Sequence, residues 1–198
     1  MQRLIVGITG ATGAIFGVRL LRALEGSGIE THLVISKWAL QTIEQEVELT
    51  VDAIRGLATV THEPGNFNAP IASGSFRVDG MVVAPCSVRS LAAIAHGNGD
   101  TLIHRAADVV LKERRRLVLL VREMPLSEIH LENMLKLARM GATIMPPMPA
   151  FYNRPQTIDD IVDHVVARTL DQLDIPAPFA RRWDGLTRAQ AVPLHRKR

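Results

Sequence analysis

Short apolar runs alternate along the chain with longer segments in which apolar residues recur every three or four positions. The short runs, rich in Ile, Val and Leu, predict buried strands, and the longer segments predict amphipathic helices. The predicted strands cover residues 3–8, 31–35, 80–84, 117–121 and 142–145. The predicted helices cover residues 14–25, 38–48, 51–58, 87–96, 102–115, 127–140 and 157–173. Because strands alternate with helices, we predict right-handed crossovers and one parallel sheet flanked by helices.

Local signals support several of these boundaries. Thr157 is placed as the N-cap of the last helix, and Asp159 and Asp160 follow in its first turn, where carboxylates favour the positive end of the helix dipole. Gly141 is expected to cap the C-terminus of the preceding helix. Residues 61–75 are rich in Gly, Pro, Asn and Ser, which predicts a long loop of the kind that often carries function.

The ends of the predicted strands indicate where a ligand would bind. In a parallel sheet, ligands sit beyond the carboxyl ends of the strands. Pro85 is expected to end the third strand, because proline has no N–H to donate to a sheet. Polar residues, glycines or prolines follow every strand, at residues 10–13, 36–37, 85–87, 122–123 and 146–152. We therefore expect one site at this edge.

The first of these loops predicts phosphate or nucleotide binding. Glycines at positions 7, 10, 13 and 17 let the backbone approach a phosphate, the next helix offers free N–H groups, and Thr12 adds a hydroxyl. The alternative is a tight turn packed on itself. The spacing G-x-x-G-x-x-G differs from the dinucleotide fingerprint, and Ser36 and Lys37 stand where an acidic residue would bind the ribose.

An NADP-binding reductase stays an alternative, because a 2′-phosphate would suit the Ser36-Lys37 end. Short-chain reductases also need a Tyr-x-x-x-Lys pair, whereas Gln156 follows the only tyrosine, Tyr152. Cys86 has no histidine placed beside it by a sequence signature, so we interpret it as a small buried residue.

Composition and charge narrow the class of protein. The 198 residues are 47% hydrophobic, which fits one globular domain, and a single cysteine excludes a disulfide framework or a Cys-based zinc site. No apolar run is long enough for a membrane span, and no signal peptide is recognised, so a cytoplasmic protein is expected. The net charge of +3 equals that of the tail 196–198, so it does not indicate nucleic-acid binding. No metal-binding spacing of histidines occurs, and no metal is expected.

Seven sequence blocks together resemble one known family. They are G-I-T-G-A-T-G-A (7–14), S-K-W-A (36–39), S-G-S-F (73–76), A-P-C-S (84–87), R-A-A-D-V-V-L-K-E-R (105–114), V-R-E-M-P-L-S-E-I-H-L-E-N-M (121–134) and P-P-M-P-A-F-Y-N (146–153). In this order they resemble the UbiX family of flavin prenyltransferases, and in particular its phenolic (hydroxyarylic) acid decarboxylase branch. The similarity runs from about residue 3 to about residue 185.

This resemblance implies a fold and a reaction. The expected fold is a three-layer, Rossmann-like (flavodoxin-like) α/β domain over residues 1–175 that binds FMN, assembled as a homododecamer, with residues 176–198 as a C-terminal extension. The implied reaction joins the dimethylallyl group of dimethylallyl monophosphate to N5 and C6 of reduced FMN. The product, prenylated FMN, would serve a UbiD-type decarboxylase of phenolic acids. No metal, membrane or nucleic acid is implied.

The resemblance also implies roles for individual residues, carried over motif by motif. Those expected to bind FMN are Gly10, Ala11, Thr12, Ser36, Ser87, Val88, Arg89, Ser90 and Arg122. Those expected to hold the prenyl phosphate are Arg105, Lys112, Arg122, Tyr152 and Arg168. Those expected to be catalytic are Glu46, Lys112, Glu123 and Tyr152, with Glu123 as a proton carrier.

Three residues depart from the broader family pattern. Thr12 replaces a serine and keeps its hydroxyl, whereas Arg89 replaces a glycine and Phe67 a tryptophan of the biosynthetic members. These departures favour the branch that degrades aromatic acids. Two alternatives stay open: a flavin-dependent decarboxylase that acts directly, and an FMN carrier without chemistry of its own.

Overall fold

Six parallel strands form the central sheet of the computed structural model, which describes residues 2–183 and 185. The strands are β1 (Arg3–Ile8), β2 (Glu30–Ile35), β3 (Val60–His62), β4 (Gly80–Cys86), β5 (Arg116–Val121) and β6 (Thr143–Ile144). Their order across the sheet is β3-β2-β1-β4-β5-β6, and every neighbouring pair is parallel. The predicted parallel sheet is thus confirmed.

Helices cover both faces of this sheet. They are α1 (Ala14–Leu24), α2 (Lys37–Glu46), α3 (Val51–Arg55), α4 (Val88–Ala95), α5 (Leu102–Lys112), α6 (Glu128–Arg139) and α7 (Ile158–Asp171), with a 3-10 turn at Pro70–Ala72. Buried residues of α1, α2, α3 and α7 share one core, and those of α4, α5 and α6 share the other. Because successive strand side chains point to opposite faces, Leu4 and Val6 enter the first core and Ile5 the second. The three-layer α/β prediction is confirmed.

Two sequence-based expectations about strands were wrong. The loop predicted over 61–75 overlaps β3, an edge strand of three residues that pairs with β2. A strand this short shows no recognisable alternation of apolar and polar residues in the sequence. Pro85 does not end β4, which continues to Cys86. The pairing of β4 with β5 shifts its register between Val83 and Cys86. This irregularity accommodates Pro85, which has no N–H, and pairing resumes between Cys86 and Val121.

The predicted helix caps are confirmed. The Thr157 side chain accepts a hydrogen bond from the backbone N–H of Asp160, and the Asp160 carboxylate accepts from the N–H groups of Gln156 (2.8 Å) and Thr157 (3.0 Å). These backbone hydrogen bonds hold the pKa of Asp160 below its ordinary value. Gly141 follows α6 with a φ of +98°, a left-handed conformation that favours glycine.

The segment after α7 packs against the domain as far as it is described. Ile175 and Ala177 are buried in the core that contains α7. The Arg182 guanidinium donates to both carboxylate oxygens of Asp171 at 2.7 and 3.0 Å, and the Trp183 ring meets the edge of Tyr152. The boundary at residue 175 stays a prediction, and the basic tail 196–198 lies outside the described residues. Within the described part of the chain, no helix is long and apolar enough to cross a membrane.

Candidate functional site

The chain changes direction between β1 and β4, which creates a crevice at their carboxyl ends. From β1 it proceeds to β2 and β3 on one side, and β4 then returns to the other side of β1. Thr9, directly after β1, joins the two strand ends: its buried hydroxyl donates to the Pro85 carbonyl (2.7 Å) and accepts from the Ser87 N–H (2.8 Å). Such a switch point is where open parallel sheets bind ligands.

A cavity of about 630 Å³ opens at this switch point. Its walls come from the loops after β1, β2 and β4 and from the first turns of α4 and α5. The lining residues are Thr9, Gly10, Ser36, Lys37, Trp38, Ser87, Val88, Arg89, Ser90, Thr101, Ile103 and His104. The volume lies within the usual range for small-molecule sites, and the lining combines hydroxyls with apolar surfaces.

Most of the residues predicted to bind FMN meet in this cavity. Those that line it are Gly10, Ser36, Ser87, Val88, Arg89 and Ser90. Ala11 and Thr12 belong to the same loop as Gly10 but do not line the cavity. Arg122 follows β5, and its N–H donates to the Cys86 carbonyl (3.0 Å), which places its backbone beside the strand that leads into the cavity. Direct contact of each residue with a ligand stays a prediction.

Glu46 occupies the N-terminus of α1, where the sequence predicted free N–H groups. Its carboxylate Oε2 accepts hydrogen bonds from the N–H groups of Gly13 (2.7 Å) and Ala14 (3.1 Å). A negative charge at this position stabilises the helix through its dipole. A bound phosphate would therefore have to use other donors of the loop, nearer Gly10.

The hydrogen bonds of Glu46 to the N-terminus of α1 should contribute to the thermal stability of the protein. We expect Glu46→Gln to lower the thermal unfolding midpoint by roughly 2–4 °C, because the amide is uncharged and its hydrogen bonds to the helix N-terminus are weaker. Scanning fluorimetry at neutral pH measures this shift. Glu44→Gln is the matched control, since Glu44 lies on the same helix, is exposed and makes no side-chain hydrogen bond within the described structure. Equal midpoints for both variants would contradict the capping role.

Sequence reasoning missed five residues of the cavity wall. They are Thr9, Trp38, Thr101, Ile103 and His104. Trp38 stands inside the S-K-W-A block, and its close approach explains Gly10: a Cβ at position 10 would lie 2.4 Å from the Trp38 Cβ. Thr101 carries a sequence signal, because a threonine before an amphipathic helix predicts an N-cap, and its side chain accepts from the His104 N–H.

Tyr152 and Arg168 line a separate cleft of about 350 Å³ beside α7. The Tyr152 hydroxyl lies 3.3 Å from the His164 Nε2, and its ring is half exposed. Arg168 donates to the Asp171 carboxylate at 2.8 Å. Arg182 above all, together with Arg168, keeps the pKa of Asp171 below its ordinary value.

Arg105 and Lys112 lie on the opposite face of the sheet, on α5. Arg105 donates to the Ala72 carbonyl (3.1 Å) and pairs with Asp108 (2.8 Å). Lys112 pairs with Glu113 at 2.6 Å, and this ammonium group holds the pKa of Glu113 below its ordinary value. The prenyl-phosphate residues predicted from the sequence are therefore not brought together within one chain.

Two further predicted residues lie at the carboxyl end of β5. The Arg122 side chain is exposed, and the Glu123 carboxylate is half-buried and accepts from the Met124 N–H (3.0 Å). Cys86, at the end of β4, is fully buried, and this burial raises the pKa of its thiol to about 12. The interpretation of Cys86 as a small buried residue is confirmed. Among residues 2–183 and 185, no three His, Cys, Asp or Glu side chains cluster as metal ligands.

The model of the Flavoprotein family matches residues 1–170. A probable UbiX-like flavin prenyltransferase from Streptomyces sp. (strain D7) is 65% identical over 192 residues, which is 96% of each chain. The chain belongs to the flavoproteins, among the UbiX-like flavin prenyltransferases. The resemblance found in the sequence blocks is thus confirmed, and the UbiX-like fold positions the cavity at the β1–β4 switch point.

Two solved structures of UbiX-like flavoproteins match over nearly their whole length. A dodecameric FMN-dependent UbiX-like decarboxylase from Escherichia coli O157:H7 superposes with a TM-score of 0.91 at 60% identity, covering 93% of this chain and 100% of that one. AnUbiX (PadA1), in complex with FMN and dimethylallyl pyrophosphate, gives a TM-score of 0.92 at 52% identity, covering 94% of this chain and 99% of that one.

Proposed function

We propose that this flavoprotein is a prenyltransferase that joins the dimethylallyl group of dimethylallyl monophosphate to N5 and C6 of reduced FMN. The observation that carries the proposal is the switch-point cavity, because six of the residues expected to bind FMN line it. The similarity to AnUbiX, which binds FMN and dimethylallyl pyrophosphate, supports the same pair of ligands here.

The cavity residues fit FMN. Hydroxyls of Thr9, Ser36, Ser87 and Ser90 offer hydrogen bonds, and Trp38 presents an aromatic surface for a flat ring. The wall also contains a buried polar atom, the His104 Nδ1, that has no hydrogen-bond partner among residues 2–183 and 185. When bound, reduced FMN supplies the electron-rich ring that accepts the prenyl group.

The protein's own contribution is to stabilise the departing phosphate and to move a proton. Negative charge develops on the phosphate as the allylic C–O bond breaks. Three cations neutralise this charge, Lys112, Arg122 and Arg168, and the Tyr152 hydroxyl donates a hydrogen bond to it. Glu123, half-buried beside Arg122, would carry the proton that the flavin ring gives up when the new bond forms, and would pass it to the departing phosphate.

The site is completed by neighbouring subunits. Lys112 lies on the α5 face of the sheet, whereas Tyr152 and Arg168 lie on the side of α7, so one chain cannot direct all three at one phosphate. The E. coli relative is dodecameric, and we infer that an assembly of this kind brings α5 of one subunit to α7 of another. A mixed oligomer of Lys112→Ala and Tyr152→Phe subunits is expected to regain part of the activity that each variant alone lacks. No recovery on mixing dissociated and reassembled subunits would contradict shared sites.

The direct test is an anaerobic incubation with reduced FMN and dimethylallyl monophosphate. We expect mass spectrometry of the released flavin to show the addition of one dimethylallyl group. The absence of an adduct under reducing conditions would overturn the proposal. Release of CO₂ from a phenolic acid by the purified protein and FMN alone would favour a directly acting decarboxylase instead.

The product is destined for a UbiD-type decarboxylase of phenolic acids such as 4-hydroxybenzoate or vanillate. Arg89 and Phe67 support this branch because both differ from the residues of the biosynthetic members. Arg89 lines the cavity, and Phe67 is half exposed in the 61–75 segment. We expect the reaction mixture to activate an apo UbiD-type decarboxylase toward these acids only when dimethylallyl monophosphate is present. Equal activation by FMN alone would contradict this assignment.

A further inference from the structure

We propose that His104 is a positioning residue of the FMN cavity, which acts by setting the direction of the Ser90 hydroxyl. The inference rests on the proposed function, because it concerns how the same cavity holds FMN. His104 belongs to the first turn of α5, whereas Ser90 belongs to the first turn of α4. The two side chains meet at the wall of the cavity, where only 5% of the surface of each residue is exposed.

A chain of hydrogen bonds connects the imidazole to the cavity. The Ser87 hydroxyl donates to the Ser90 hydroxyl at 3.2 Å, and the Ser90 hydroxyl lies 3.2 Å from the His104 Nε2. The Ser87 hydroxyl also accepts from the Ser90 N–H at 3.2 Å, which fixes it as the N-cap of α4. All three residues line the cavity, so the state of the ring determines which hydrogen-bonding groups the serines offer to a ligand.

Each hydroxyl has a single proton, so the ring decides its direction. When the Nε2 carries a lone pair, Ser87 donates to Ser90 and Ser90 donates to His104, and both serines offer only lone pairs to FMN. These lone pairs suit the hydroxyl and N–H donors of a flavin nucleotide. When the ring is protonated, Nε2–H becomes a donor, and the Ser90 proton must turn away from His104.

The surroundings of His104 favour the uncharged ring. Burial lowers its pKa, and the nearby Arg89 adds to this effect, whereas Asp100 opposes it. When Nε2 accepts from Ser90, the neutral ring carries its single proton on Nδ1, so acid adds the second proton at Nε2, the nitrogen that faces Ser90. Burial therefore favours the neutral ring, whose Nε2 can accept from the Ser90 hydroxyl. We expect acid to protonate this nitrogen and to weaken FMN binding.

The test compares the FMN dissociation constants of four proteins from about pH 8 down to about pH 5, the full range in which a histidine titrates, because burial lowers the pKa of His104. The variants are His104→Gln, His104→Leu and, as the matched control, His96→Leu. His96 lies at the exposed end of α4, where its Nδ1 bonds the Ala92 carbonyl (2.9 Å). Flavin fluorescence measures binding, and a thermal melt checks that each variant folds.

The expected pattern separates positioning from mere packing. Glutamine keeps an acceptor near the Nε2 position but does not titrate, so His104→Gln should bind like the wild type at pH 8 and weaken less in acid. Leucine removes the acceptor, and His104→Leu should bind about three- to tenfold more weakly at pH 8. The FMN phosphate itself titrates near pH 6, but its contribution is common to all four proteins.

A double-mutant cycle shows whether His104 acts through Ser90. In a Ser90→Ala background, the effect of His104→Leu on FMN binding should largely disappear, because the group it positions is absent. Additive effects, or identical pH profiles for the wild type and His104→Gln, would overturn the inference while leaving FMN binding and prenyl transfer intact. Failure of the wild type to bind FMN at any pH would instead overturn the proposed function, and the inference with it.

Discussion

Replacing Tyr152 with phenylalanine should lower the rate of prenyl transfer about a hundredfold, which is typical for the loss of one donor to a developing negative charge. The substitution removes a single oxygen. The ring that packs against Trp183 remains. Tyr152 is half exposed, and its hydroxyl makes a 3.3 Å contact with His164, so the fold should tolerate the loss of this oxygen. Quenched-flow mass spectrometry of the flavin measures the rate, and flavin fluorescence measures FMN binding.

This variant also separates an enzyme from a carrier. Tyr152 lies outside the FMN cavity on its own chain, so we expect the FMN dissociation constant and the thermal midpoint to stay unchanged. If the protein is a prenyltransferase, the rate at which Tyr152→Phe activates a UbiD-type decarboxylase should fall together with the rate of prenyl transfer. A carrier that only delivers FMN would keep the full rate of activation, and full activation by Tyr152→Phe would contradict the enzymatic role.

Replacing Gly17 with alanine should lower the thermal unfolding midpoint by roughly 5–10 °C, as expected for an overpacked core in a chain of this length. Gly17 lies in α1 against the end of β4. A Cβ there would lie 2.4 Å from the Ala84 carbonyl oxygen and 2.9 Å from two carbons of Ile8. Because the nearest atom belongs to the backbone of a central strand, α1 itself must move, and this outweighs the gain in helix propensity.

The displacement should also reach the cavity, because Ala84 immediately precedes the Pro85 carbonyl that binds Thr9. We therefore expect weaker FMN binding together with the lower midpoint. Gly56→Ala is the matched control: Gly56 has a φ of −65°, and a Cβ there would meet its nearest neighbour at an ordinary 3.4 Å. A Gly17→Ala midpoint no lower than that of Gly56→Ala would contradict the close packing of α1 on β4.

The sequence predicted the cavity residues that directly follow a strand, and it missed the residues that distant segments bring together. Ser36 and Ser87 were predictable, because each follows an apolar strand and begins a helix, and each caps that helix. Thr9 and His104 have no such signal. Thr9 contacts the end of β4 because β4 lies beside β1 in the sheet. His104 contacts Ser90 because the first turns of α4 and α5 pack together.

The sequence by itself determined the α/β alternation, the helix caps and the family, because apolar periodicity, capping residues and motif blocks are local properties of the chain. Only the tertiary structure decided the strand order, the use of Glu46 as a cap for α1, and the position of His104 beside Ser90. It also separated Lys112 from Tyr152 on opposite faces of the sheet. These features depend on which strands pair and which faces the helices cover, and those pairings join residues far apart in the chain.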